Sequence, residues 1–178
     1  MELNLILVGL SHKTAPLELR EKLAIPEDKI VEYLRALKKS EAIEEVLILS
    51  TCNRTEVYAL SENIQKGIAV LSEQFSKWAT GFEKKVNSLL YKKEGGEAIH
   101  HFFRVTSSLD AMVVGEAQIL GQVREAFLCS ENAGTVGPFL NCLAPKAFNV
   151  AKKVRTDTDI ARHPVSISYV AVQLAEKI

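Results

Sequence analysis

Apolar and polar positions separate along this chain into short runs and helical stripes. Residues 3–10 form a compact apolar run of strand length, and residues 46–49 and 57–60 form two more, dense in Val, Ile, Leu and Tyr. Two helix signals lie between the first run and the second. Pro16 is placed to open a helix through Leu17, Leu19 and Leu23. Pro26 opens another, with Glu27 and Asp28 at its positive end, Lys38 and Lys39 at the other, and Ile30, Tyr33, Leu34 and Leu37 as one stripe. Ile64, Ile68, Leu71, Phe75 and Trp78 recur at spacings of three and four, which predicts a helix over 64–80 ended by Gly81. Trp78 reads there as a core anchor rather than a platform for stacking bases. A short strand is expected over 86–91. Strand, helices, strand, strand, helix, strand make two β-α-β units. They predict an α+β fold, a ferredoxin-like antiparallel sheet with helices on one face.

Additional helices follow. Gly95 and Gly96 break the chain ahead of a helix carrying Ile99, Phe102 and Phe103, and residues 106–110 are a polar break. A helix is expected over 122–131. A long one is expected over 138–157, with Phe139, Leu140, Leu143, Ala147, Val150 and Val154 on one side and a possible kink at Pro145. A last helix, opened by Ser166 or Ser168, carries a stripe still running at Ile178, as expected of a longer parent chain.

Composition narrows the class. No stretch approaches the ~20 apolar residues needed to span a membrane, and the N-terminus has no basic region of the secretory kind. Three widely spaced cysteines with no C-x-x-C pair argue against a disulfide framework or a zinc site, and point to the reducing cytoplasm. Basic and acidic residues number 22 each, so the general basic excess of a nucleic-acid binder is missing and only a local patch remains open to that role.

The candidate chemistry gathers around Cys52. Cys129 and Cys142 sit in apolar helical patterns and read as small buried hydrophobes. Cys52 instead lies between two strand-like runs, in Ser50-Thr51-Cys52-Asn53-Arg54, where a hairpin would be expected to use Gly. Arg54, two residues on, lies on the same side of an extended segment. Its guanidinium suits either of two tasks, stabilising a nucleophilic thiolate or gripping a carboxylate. His100 and His101 fall on one helix, where a His is usually structural or surface. Glu116, Gln118 and Gln122 bunch three hydrogen-bonding groups in a turn and a half, with Gln118 and Gln122 on one helix face; an exposed polar face reads equally well.

The run 50–58, Ser-Thr-Cys-Asn-Arg-Thr-Glu-Val-Tyr, resembles the signature of glutamyl-tRNA reductases. So do residues 9–16, Gly-Leu-Ser-His-Lys-Thr-Ala-Pro, with Leu19, Arg20 and Glu21, and the long stretch from His101 through Gly115 and Glu116 to Val123. Three such stretches in order cover nearly the whole chain.

The resemblance implies the same ferredoxin-like fold and a catalytic domain over 1–157, with 158–178 starting a helix that links to an absent NADPH domain. It implies Cys52 as nucleophile on the ester of glutamyl-tRNA, forming a thioester that NADPH reduces to glutamate-1-semialdehyde for tetrapyrrole synthesis. It points to His101, not His100, as the active-site histidine, acting as acid or base or orienting the ester. Thr51, Asn53, Arg54, Glu116, Gln118 and Gln122 become substrate contacts, and the loop after residue 10 comes near the site. It further implies a homodimer formed through an absent C-terminal domain and the downstream aminomutase as a partner. No cofactor site is expected in these residues, since no G-x-G-x-x-G occurs. Two positions depart from the family: Ala111 where Ser is common, removing a hydroxyl that Ser107, Ser108 or a water would have to replace, and Ala117 where Pro is common. The alternatives are a non-catalytic tRNA- or partner-binding module and a stand-alone cysteine hydrolase with His101 as base.

Overall fold

The computed structural model describes residues 4–161 and residue 175. The expected last helix after residue 164 lies outside the described residues apart from Ala175. A four-stranded sheet forms the middle layer, from β1 (Asn4–Ser11), β2 (Glu45–Ser50), β3 (Arg54–Ser61) and β4 (Tyr91–Glu94). The strand order is β2-β3-β1-β4 and every pairing is antiparallel, the ferredoxin-like arrangement. Side chains alternate across this sheet. Ile6, Val8, Leu10, Val46, Ile48, Val57 and Ala59 face α1 (Leu17–Leu23), α2 (Glu27–Lys38) and α3 (Ile64–Trp78). Leu5, Leu7, Leu47, Leu49, Tyr58 and Leu60 face the additional helices, α5 (Gly95–Thr106), α6 (Gln118–Asn132) and α7 (Pro138–Asp157). The helices of the β-α-β units thus cover one face and the later helices cover the other. That is why strands 46–49 and 57–60 read as unbroken apolar runs: both faces are buried.

Several elements fall elsewhere than the pattern predicts. The strand expected over 86–91 is β4 at Tyr91–Glu94, and Val86 instead closes a short helix, α4 (Glu83–Val86). The apolar residues Val86, Leu89 and Leu90 pack on the first core from a connection. The strand itself is a sheet edge, alternating half-buried and exposed positions, with Lys92 turned outward. Gly95 and Gly96 open α5 rather than preceding it. Helix α6 begins at Gln118, four residues early, because buried Ile119 continues the stripe of Val123, Ala126 and Phe127. On α7 the buried stripe is Leu140, Leu143, Ala144, Ala147 and Ala151; Val150 and Cys142 are exposed, so Cys142 is not the buried hydrophobe its pattern suggested. Trp78 stacks on Tyr33 at 5.0 Å and meets Phe75 edge-on, a packing role as expected.

Long-range polar ties lock the layers. Glu45 of β2 is buried and accepts the backbone N–H groups of Phe139 and Leu140 at 3.0 and 2.8 Å, placing a carboxylate at the N-terminus of α7. Thr135 bonds both the N–H and the C=O of Val46 and so shields the β2 edge. Gly67 of α3 lets that helix approach the sheet; a Cβ there would stand 2.6 Å from Ile6 Cδ1. Glu45→Ala removes the acceptor for two α7 donors, and urea unfolding is expected to show a loss of about 1–3 kcal/mol.

Candidate active site

The β2–β3 turn stands at one end of the sheet. Thr51 shapes it: its hydroxyl accepts the backbone N–H groups of Asn53 and Arg54 at 3.2 and 3.1 Å, while its own N–H bonds Arg54 O at 2.8 Å. A threonine side chain thus does the work for which a glycine turn was expected. Arg20 of α1 clamps the turn from outside, donating to Cys52 O at 2.8 Å and Asn53 Oδ1 at 3.2 Å. Ser50 accepts from Ile25 N–H, Thr55 donates to Leu23 O, and His12 N–H bonds Asn53 O at 2.8 Å. The loop 11–14 therefore lies against the turn, as the sequence suggested. His12 is held below the usual histidine pKa by burial and then by the Arg54 and Lys13 charges. Cys52 sits exposed on this braced turn.

Beneath the turn, alternation along β3 sends Arg54, Glu56 and Tyr58 to the face of α5–α7. Glu56 is fully buried and takes four donors: Arg54 Nη1 at 2.8 Å and His101 Nε2 at 2.7 Å on Oε1, Tyr58 at 2.7 Å on Oε2, and Tyr91 on Oε1. Burial alone would raise the carboxyl pKa. The hydrogen bond from His101 and the Arg54 charge outweigh it and hold Glu56 at about 2. An ionised carboxylate only accepts, so His101 carries a proton on Nε2. Tyr58 and Tyr91 are both pushed upward, by burial and then by the Glu56 charge, and stay protonated donors.

Arg54 is also buried, and its second arm reaches Asp110, bonding the backbone O and, at 3.2 Å, Oδ2. Asp110 binds Lys13 as well; burial works against its charge, but Lys13 and Arg54 keep its carboxyl below the usual range. Both ends of the Arg54 fork are therefore engaged by the protein, and the cation that contacts the Cys52 turn itself is Arg20. Sequence position two residues from Cys52 did not reveal this, because residues 51–53 form a tight turn rather than an extended segment, and β3 begins only at Arg54 with its side chain in the core.

Gly9 makes the cluster possible. It pairs with Glu56 on one side and Tyr91 on the other. A Cβ at Gly9 would lie 2.8 Å from Glu56 Cγ and 2.9 Å from Thr55 O. The loop 107–117 delivers Asp110 with Ser108 in the left-handed region, φ 62°, held by its hydroxyl on Glu116 O at 2.6 Å and by Gly115 N–H on its own carbonyl at 3.1 Å. The Ser108 hydroxyl is thus occupied by the loop, and Ala111 is buried. Gly115 itself, φ 90°, touches Ile160 and accepts from Arg155 of α7 at 3.0 Å.

Glu116 is half-buried, and burial raises its pKa while the Arg54 charge pulls the other way. Gln118 is exposed and Gln122 half-buried on the first turns of α6. A cleft of about 510 Å³ opens beside His101, walled by Tyr91, Lys93, Arg104, Asp110 and Lys13. Cys52, Gln118 and Gln122 are not among its walls. The structure brings Arg54 and His101 together through Glu56, Tyr91 and Asp110, three residues that reading the sequence did not assign. Only Glu56 left a local signal, two residues from Arg54 on one strand face. Among the described residues no cluster of His, Cys, Asp and Glu is arranged for a metal, and no helix is long and apolar enough to cross a membrane.

Residues 8–158 match the family described as glutamyl-tRNAGlu reductase, N-terminal domain. The chain is 49% identical over 176 residues to a glutamyl-tRNA reductase of Syntrophotalea carbinolica, covering 99% of this chain and 40% of that protein. It is 46% identical to a glutamyl-tRNA reductase of Carboxydothermus hydrogenoformans, covering 96% of this chain and 38% of the relative. A solved glutamyl-tRNA reductase from Methanopyrus kandleri superposes with a TM-score of 0.74 at 34% identity, over 97% of this chain and 39% of that one. The chain thus spans about two fifths of the length of these relatives.

Two outcomes follow from the geometry. Glu56→Gln leaves Arg54 without its charge partner, and at pH 7 is expected to cost about 3–5 kcal/mol. A depressed carboxyl contributes stability that is present above its unfolded value and lost as pH falls through the folded one. The gap between wild type and variant in urea titrations should therefore be full above the ordinary glutamate value of 4.5 and narrow as pH drops toward 2. Gly9→Ala forces Glu56 or the backbone to shift and should cost about 1–3 kcal/mol, again by urea unfolding.

Proposed function

The chain belongs to the glutamyl-tRNA reductase N-terminal domain family, and we propose that it is the acyl-transfer domain of such an enzyme. The observation that carries this reading is an exposed thiol, Cys52, on a rigidly braced turn that leads through Arg54 into a buried cluster of charges containing His101. The Cys52 thiolate attacks the ester carbonyl carbon of glutamyl-tRNA. A carbon–sulfur bond forms, the bond to the ribose oxygen breaks, and that oxygen leaves as a hydroxyl after taking a proton. His101, its Nε2–H held by Glu56, lines the neighbouring cleft, where it serves that proton transfer or orients the ester. Thr51 and Asn53 hold the turn, and Glu116, Gln118 and Gln122 offer the glutamyl group polar contacts from the 107–117 loop and α6.

NADPH has no fitting site among the described residues. The sheet is antiparallel throughout, and the sequence has no glycine-rich strand-to-helix turn to receive a pyrophosphate. Reduction of the thioester to glutamate-1-semialdehyde is accordingly assigned to a remaining part of a longer protein, with residues 158–178 leading toward it. The cytoplasmic setting, the homodimer and the aminomutase partnership belong to that whole enzyme and stand as proposals with it. A second reading, a tRNA- or partner-binding module without catalysis, draws on the position of Cys52 outside the walls of the cleft.

Incubation with glutamyl-tRNA without NADPH, followed by an acid quench and intact mass measurement, separates the two. Acyl transfer predicts a gain of one glutamyl unit that hydroxylamine removes and that Cys52→Ser abolishes. Binding of the tRNA with no adduct would favour the module.

A further inference from the structure

The cleft beside His101 carries cations that its carboxylates do not answer. Lys13 comes from the β1–α1 loop, Lys93 from β4 and Arg104 from α5. Lys13 is engaged by Asp110, which Arg54 shares. Lys93 and Arg104 are half-buried, yet neither side chain has an ion pair or hydrogen bond among the described residues. Exposed Lys29, Lys77 and Lys153 do have carboxylates one turn away. The remaining acid at the cleft, Glu97, is exposed at its rim near His100. Partly desolvated cations facing an open cavity are costly until an anion is supplied. A planar guanidinium fork from α5 with an ammonium group from β4 suits a ligand with several anionic oxygens, which describes a phosphate ester.

The place of this charge matters. Lys93 and Tyr91 lie on the same face of β4, and Tyr91 and His101 line the same cleft with ring centroids 5.5 Å apart. A phosphate between Lys93 and Arg104 therefore lies next to the imidazole that faces the acyl group. In an aminoacyl-RNA the ester is carried by the terminal ribose, and the nearest phosphate is that same nucleotide's own. We propose that Lys93 and Arg104 bind the phosphodiester backbone at the acylated end of the RNA, making this cleft the RNA subsite adjoining the acyl site. The assignment rests on the acyl-transfer reading above.

The test compares two acyl donors on the full-length reductase, glutamyl-tRNA and a glutamyl ester of adenosine, which carries no phosphate. Acylation of Cys52 is followed at varied donor and salt concentrations. Lys93→Ala and Arg104→Ala are each expected to raise KM for glutamyl-tRNA about tenfold with kcat little changed. Each should also flatten the slope of log(kcat/KM) against log[salt] by about 0.7. Acylation by the adenosine ester should be unaffected, and Arg104→Lys should retain most of the wild-type KM. Equal losses with both donors would assign the two residues a structural role and overturn the subsite. Unchanged kinetics with both donors would overturn it too, as would a rise confined to KM for NADPH, which would hand the cleft to the phosphates of the cofactor. A wild-type protein acylated by neither donor would instead bring down the acyl-transfer reading on which the subsite rests.

Discussion

One fully buried carboxylate sets the terms for this end of the molecule. Glu56 must be given donors or be neutralised, because an unpaired charge at that depth is worth several kcal/mol of instability. It receives donors from its own strand, through Arg54 and Tyr58, from β4 through Tyr91, and from α5 through His101. Satisfying it fixes the tautomer of His101, the direction of the Arg54 side chain and the docking of the sheet edge against α5. Arg54 passes the constraint on to Asp110, and through it to the loop 107–117 and Lys13.

This arrangement divides the labour between strength and access. The charges are buried and matched, so they resist displacement by water, while the thiol stands outside on a turn gripped by Arg20, Thr51 and the loop 11–14. A nucleophile needs room for a substrate, and the groups that orient it need rigidity. The turn delivers both from residues two apart: Cys52 stays in the bend and in solvent, while β3 begins at Arg54 and sends that side chain inward. Gly9 is the matching concession in β1, a missing side chain that gives the Glu56 carboxylate its space.

Much of the fold was legible because its signals are local. The apolar runs of β1, β2 and β3, the prolines opening α1 and α2, and the stripe of α3 each depend on residues within a few positions of one another. The edge strand β4 was misplaced because Tyr-Lys-Lys-Glu carries no apolar run; what makes it a strand is pairing with Ile6–Gly9, more than eighty residues away. Cys142 and Val150 show the same limit on α7, where the pattern located the helix and the inward positions Leu140, Leu143 and Ala147 but misjudged these two.

The sequence by itself determined the α+β order of elements, the prominence of the Cys52 turn and the family to which its motifs point, since these rest on short-range pattern and residue type. Only the tertiary structure decided what those residues do to one another. Whether Arg54 serves the thiol or the core, which nitrogen of His101 holds the proton, and why Gly9 has no side chain all depend on contacts between segments distant in the chain. Charge pairing acts through space over a few ångströms, and sequence separation carries no information about that distance until the sheet and α5 are packed together.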